Sequence, residues 1–166
     1  MSVPATRPAL VVGVDVSEAA AAALRRAAAQ APALGAEVVA VHAWERSGPR
    51  IAPYAPRSAR PTPDEERIAA ARLLAETVRR VLGPRAGGVR AELVEGPAAR
   101  VLLHRARGAV LLVLGHSAHH QDGPAAGPVG RECLRRATVP VVAVPAPAVR
   151  DAGLAVVRPL RRAGIG

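Results

Sequence analysis

Residues 9–18 read Ala-Leu-Val-Val-Gly-Val-Asp-Val-Ser-Glu. The unbroken apolar run from Ala9 to Val14 predicts a strand covered on both faces, because a strand with one wet face would alternate. Ser17 predicts a helix N-cap, and Glu18 falls in the first turn, where a carboxylate complements the helix dipole. An alanine-rich helix then runs to about Ala33, and Gly35 stops it. Val38, Val39 and Val41 mark a second strand over residues 37–42.

The same alternation continues downstream. Residues 109–114, Ala-Val-Leu-Leu-Val-Leu, form the most apolar run and predict a central strand. Gly115 opens a loop rich in Gly, His and Pro. Pro128 starts a short fourth helix with Leu134 facing inward, and Val141 to Val144 give the last strand. Between the second strand and the next helix lies a stretch from Glu45 to Pro61 with prolines at 49, 53, 56 and 61. A loop of that length is usually functional or mobile. Thr62-Pro63-Asp64-Glu65 is a capping box, and Ile68, Ala71, Leu74, Val78 and Val81 mark one helix face that Gly83-Pro84 ends. Val89 to Val94 alternates and predicts an edge strand. Gly96-Pro97 opens a third helix that ends near Gly108. Strand and helix in turn imply an α/β fold: an open parallel sheet, helices on both faces, right-handed crossovers. Residues 1–145 read as one domain. Residues 146–166 read as a mobile basic tail in which Leu154 to Val157 offers a short strand.

A chain of 166 residues that is half hydrophobic supports a single core. Only Trp44 and Tyr54 are aromatic, so that core is built from Ala, Val and Leu. All basic residues are arginine, and lysine is absent. This excludes a P-loop NTPase and a pyridoxal-phosphate enzyme, both of which need a lysine. The single cysteine, Cys133, excludes an internal disulfide and a cysteine-based zinc site, and suits the cytoplasm. No apolar run is long enough to span a membrane. Asp15 and Glu18 interrupt the first apolar stretch, so it does not read as a secretory leader. The net charge of +10 is concentrated in residues 46–90 and the tail. Without interleaved aromatics this reads as a solvated arginine surface, and nucleic acid is not the expected partner.

In open parallel sheets, ligands bind at the carboxyl ends of the strands. Two such ends carry small residues: Gly13 to Ser17, and Leu114-Gly115 with the loop up to Pro128. Here the sequence resembles the universal stress proteins. The resemblance rests on Val11-Val12-Gly13-Val14-Asp15-x-Ser17-Glu18, His42-Ala43-Trp44, Val94-Glu95-Gly96-Pro97-Ala98, Leu112-Val113-Leu114-Gly115-His116-Ser117, and the closing block from Cys133 to Pro145. These five blocks occur in the family's order over residues 8–145. The resemblance implies a five-stranded sheet in the order 3-2-1-4-5 and a homodimer through the last strand, Val141 to Val144. It also implies a role in stress response, with an unidentified signalling partner, and in many members an ATP site, with Mg accompanying the nucleotide.

The family's nucleotide motif, Gly-x₂-Gly-x₉-Gly-Ser/Thr, maps here with erosion. Its first glycine is Gly115, its second falls on Ala118, and its third is Gly127 with a spacer one residue short. Pro128 replaces the hydroxyl residue, and Gly130 takes the next hydroxyl position. Proline supplies neither an N–H nor a hydroxyl to a phosphate, although it suits the first helical position. Two lost charge-assisted bonds weaken a micromolar site by about a hundredfold or more. The Val129 and Gly130 amides and the charge of Arg131 remain. By resemblance Asp15 lies near adenine and ribose, Gly13, Val41 and Ala43 line the base pocket, and Leu114 belongs to the nucleotide-binding set. Asp15 also has a purely local use, accepting from amides of the strand-to-helix turn.

Other constellations are weaker. His116, His119, His120 and Asp122 invite a metal reading, but the loop lacks the helical spacing that would converge the imidazoles, so no metal site is expected. Ser117 has no evident base, and the paired glycines of adenylate-forming enzymes are missing after the first strand. Catalysis beyond weak ATP hydrolysis is therefore not expected. His104 reads as a surface group and Cys133 as a buried structural thiol. Two readings stay open: a regulatory module that binds an adenine nucleotide, and a nucleotide-free dimeric interaction module with a decayed pocket.

Overall fold

The computed structural model describes residues 7–47, 61–116 and 127–147. In chain order these form β1 (Ala9–Gly13), α1 (Glu18–Gln30), β2 (Glu37–Trp44), α2 (Pro63–Leu82), β3 (Val89–Glu95), α3 (Ala98–Arg105), β4 (Leu111–His116), α4 (Pro128–Arg136) and β5 (Val141–Pro145), with a 3-10 turn at Gly83–Gly88. All four strand pairings are parallel and the sheet order is β3-β2-β1-β4-β5. The order reverses between β1 and β4, so the crossovers before and after that point lie on opposite faces. This separation opens a crevice at the carboxyl ends of those two strands.

Side-chain alternation along the strands divides the core. Leu10, Val12, Val38 and Ala40 pack under α1 and α2 with Ala23, Leu24, Ala27, Leu74, Val78 and Leu82. Val11, Val39, Val41, Leu112 and Leu114 pack under α3 and α4 with Val101, Leu102, Ala106 and Cys133. Alanine on α1 lets that helix lie close to the sheet, and this substitutes for aromatic bulk. The Thr62 capping box forms as expected: Thr62 Oγ1 accepts from the Glu65 amide at 3.2 Å, and the Thr62 amide donates to Glu65 Oε2 at 2.6 Å. The β3 edge carries charge. Arg90 pairs with Glu37 at 3.2 Å and with Glu92 at 3.3 Å, and Arg105 reaches Glu92 at 3.3 Å. Charged edges of this kind resist pairing with another strand.

Several expectations are corrected. On α4 the inward residue is Cys133, fully buried, while Leu134 is 53% exposed. On α2 the face begins at Leu74 and includes Thr77 and Leu82. Ile68 and Ala71 are exposed because the first turns of α2 lie beyond the packed core. α1 ends at Gln30 rather than near Ala33, with Ala31 as C-cap and Gly35 at φ 59° closing the turn. β2 extends to Trp44 and β4 runs two residues later than expected. Tyr54, most of the proline-rich stretch 45–61, and residues 148–166 of the tail lie outside the described residues.

Candidate functional site

A cleft of about 300 Å³ opens where β1 and β4 end. Its apolar lining comes from Val41, Ala43, Ala98, Leu102 and Leu114, and its polar lining from Asp15, Ser17 and the start of α4. Glycine makes the space. A Cβ on Gly13 would stand 3.0 Å from Leu114 Cδ2 and 3.2 Å from Leu102 Cδ1. A Cβ on Gly115 would meet backbone instead, 2.4 Å from the Ala19 carbonyl carbon and 2.5 Å from the Ala20 nitrogen. Gly115 is therefore demanded by the approach of β4 to the first turn of α1, whether or not a ligand is bound.

Asp15 holds the β1–α1 turn. Its Oδ1 accepts from the Ser17 amide at 2.8 Å and from Ser17 Oγ at 2.5 Å, while Ser17 Oγ accepts from the Ala20 amide at 3.1 Å. This is the local role the sequence allowed, and it uses one carboxylate oxygen. His42 Nδ1 donates to the Val14 carbonyl at 2.7 Å, which ties the end of β2 to the same turn. A carbonyl can only accept, so Nδ1 carries the proton in this bond.

α4 enters the cleft differently. Its N-cap is Gly127, no side chain caps it, and its first turn holds no acid. The first intrahelical bond runs from the Arg131 amide to the Gly127 carbonyl at 2.9 Å. Pro128 lacks an N–H, so the Val129 and Gly130 amides are the donors that precede that bond.

Of the expected site residues, Gly13, Asp15, Val41, Ala43, Leu114, Gly115, Gly127, Val129 and Gly130 converge on this cleft. Ala118 lies outside the described residues. The sequence reading did not count Ser17, His42, Ala98, Leu102 or Pro128 among the site residues. Ala98 and Leu102 share a helix face four residues apart, and the Gly96-Pro97 break before them was the available signal. His42 carried none, because its bond to Val14 exists only once β1 and β2 pair.

Among the described residues no three His, Cys, Asp or Glu side chains gather as a metal site. His104 is exposed on α3 and His116 closes β4, while Ser117, His119, His120 and Asp122 lie outside the described residues. No helix among the described residues is long and apolar enough to cross a membrane.

A sequence model of the universal stress protein family matches residues 7–145. The chain belongs to that family. Among solved structures, a universal stress protein from Burkholderia pseudomallei is 27% identical, with 86% of this chain and 98% of that one covered and a TM-score of 0.60. A universal stress protein from Archaeoglobus fulgidus, solved in complex with dAMP, is 25% identical over 84% of this chain and 98% of that one, TM-score 0.58. Another, solved with cAMP, is 23% identical over 86% of this chain and 100% of that one, TM-score 0.58, and shows the shared fold. No curated protein matches the chain. The five-stranded order expected of a universal stress protein is the one observed.

Proposed function

We propose that this universal stress protein is a cytoplasmic regulatory module in stress response, and that an adenine nucleotide in the β1–β4 cleft is its signal. The observation that carries the reading is the cleft itself: an apolar pocket at the topological switch point, with Asp15 and the uncapped start of α4 on its polar side. The dAMP complex of the Archaeoglobus relative supports it. The proposed role is non-catalytic: the cleft hydroxyl that pairs with a carboxylate, Ser17 with Asp15, is engaged in capping α1, and magnesium would enter only with ATP. A second copy pairing along Val141 to Val144 is the proposed assembly, since β5 is an edge strand. The output would pass to a signalling protein.

Titration calorimetry of nucleotide-stripped protein with adenine nucleotides tests the reading. Micromolar binding of any of them supports it. No heat with any at millimolar concentration overturns it and leaves the nucleotide-free interaction module.

A further inference from the structure

Building on that reading, we infer that the cleft selects adenine compounds of low charge, a nucleoside or its monophosphate, over the triphosphate, and that Pro128 sets the preference. Three helix starts line the cleft, and they differ in what they still offer an anion. α1 is already satisfied: Ser17 caps it, Glu18 stands in its first turn, and the Asp15 carboxylate accepts from the Ser17 amide just before it. α3 and α4 have no acid in the first turn and no side-chain cap. A helix end is worth about half a unit charge, so the two together balance about one negative charge. The side chains do not add to this. Among the described lining residues the charged group is a carboxylate, Asp15, and none is Lys or Arg.

Donors at the start of α4 are equally limited. α4 would offer three amides before its first intrahelical bond if residue 128 were not proline; it offers those of Val129 and Gly130. The free oxygen of Asp15 suits neutral donors, such as a ribose hydroxyl or an amino group, and repels phosphate. The cavity of about 300 Å³ is at the small end for ligand pockets. One phosphate finds two amides and a matching field. Among the described lining residues, a second and third find the repulsion of Asp15 and no cationic side chain.

The test is a calorimetric series on the full chain with adenosine, AMP, ADP and ATP, each with and without magnesium, repeated on Pro128→Ser and Pro128→Ala. The expected order has adenosine or AMP tightest and ATP about tenfold weaker or more. In Pro128→Ser the ratio of the ATP constant to the adenosine constant narrows by about tenfold, because an N–H and a hydroxyl return. Pro128→Ala returns the N–H alone and narrows the ratio less. ATP binding as tightly as AMP overturns the preference and leaves the nucleotide reading standing. An unchanged ratio in both variants removes Pro128 as its cause. Silence with all four ligands overturns the preference and the nucleotide reading together.

Discussion

Gly115 and Ala19 are in backbone contact: a Cβ at position 115 would lie 2.4 Å from the Ala19 carbonyl carbon and 2.6 Å from its oxygen. Neither atom is the end of a flexible side chain, so the whole start of α1 must move to admit a methyl group. Gly115→Ala is expected to lose about 1–3 kcal/mol or more, the usual cost of overpacking, read as a lower urea midpoint at unchanged slope.

Gly13→Ala should behave differently. Its added methyl meets Leu114 and Leu102 methyls at 3.0–3.2 Å, and those side chains can shift by a few tenths of an ångström. The expected stability loss is below that of Gly115→Ala. The cleft narrows, however, so the melting-temperature rise given by adenine nucleotide in the parent should shrink. Equal destabilisation by the two substitutions would refute the distinction.

Asp15→Ala leaves the Ser17 amide and hydroxyl without their acceptor. The expected loss is about 1 kcal/mol, as for other side-chain bonds at helix starts. Asp15→Asn keeps an oxygen acceptor and should lose less stability. It also removes the one carboxylate among the described lining residues, so under the proposed charge preference the ATP-to-adenosine ratio should narrow in Asp15→Asn.

The sheet was legible because its evidence is local. Ala9 to Val14 and Leu111 to Leu114 are too apolar for a strand with one wet face, although the run that marked β4 began two residues early at Ala109, and Ser17, Thr62, Pro63 and Pro128 are helix-start residues whatever surrounds them. Placement was less legible. Ile68 continues the apolar period of α2, but period cannot say where a helix runs past the core it packs on. On α4, Cys133 and Leu134 are adjacent and both apolar, and one residue of register is about 100° of rotation. Gly13, Asp15, Leu114 and Gly115 followed from where small residues end β1 and β4, whereas Val41, Ala43, Val129 and Gly130 came through the resemblance to the universal stress proteins. His42 followed from neither, because its Val14 bond joins residues 28 apart that meet only through strand pairing.

The start of α2 should weaken in acid. Hydrogen bonds from the Thr62 amide and then its hydroxyl hold the Glu65 carboxyl below its ordinary value of 4.5. A carboxyl whose folded value lies below its unfolded value contributes stability that is present above the unfolded value and lost as pH falls through the folded one. The melting temperature of Glu65→Ala should therefore fall short of the parent at pH 7 and converge on it as pH drops below about 4.5. Thr62→Ala keeps the residue-62 amide that the Glu65 carboxylate accepts from and loses instead the bond from the Glu65 amide to Thr62 Oγ1, which does not titrate, so most of its gap to the parent should persist into acid. A constant gap from pH 7 to pH 3 in Glu65→Ala would show that Glu65 acts through its aliphatic carbons.

Cys133 and Leu134 give the sharpest test of α4's register. Cys133 is fully buried under the sheet, and burial first, then the Glu132 carboxylate beside it, push its thiol above the ordinary value. A thiol that is both inaccessible and reluctant to ionise reacts slowly with disulfide reagents. In native protein at pH 8, Cys133 should resist such a reagent for hours, and in urea it should react at the rate of a free thiol. Cys133→Ser keeps the size but buries a hydroxyl among Val11, Leu112 and Val101, and should cost about 1–3 kcal/mol. Leu134→Ser sits on the outer face and should stay within about 0.5 kcal/mol of the parent. If Leu134→Ser were instead the damaging change in the isolated chain, the helix would have to be rotated by one residue. The Val129 and Gly130 amides would then turn with it, and the anion seat proposed at the start of α4 would no longer face the cleft.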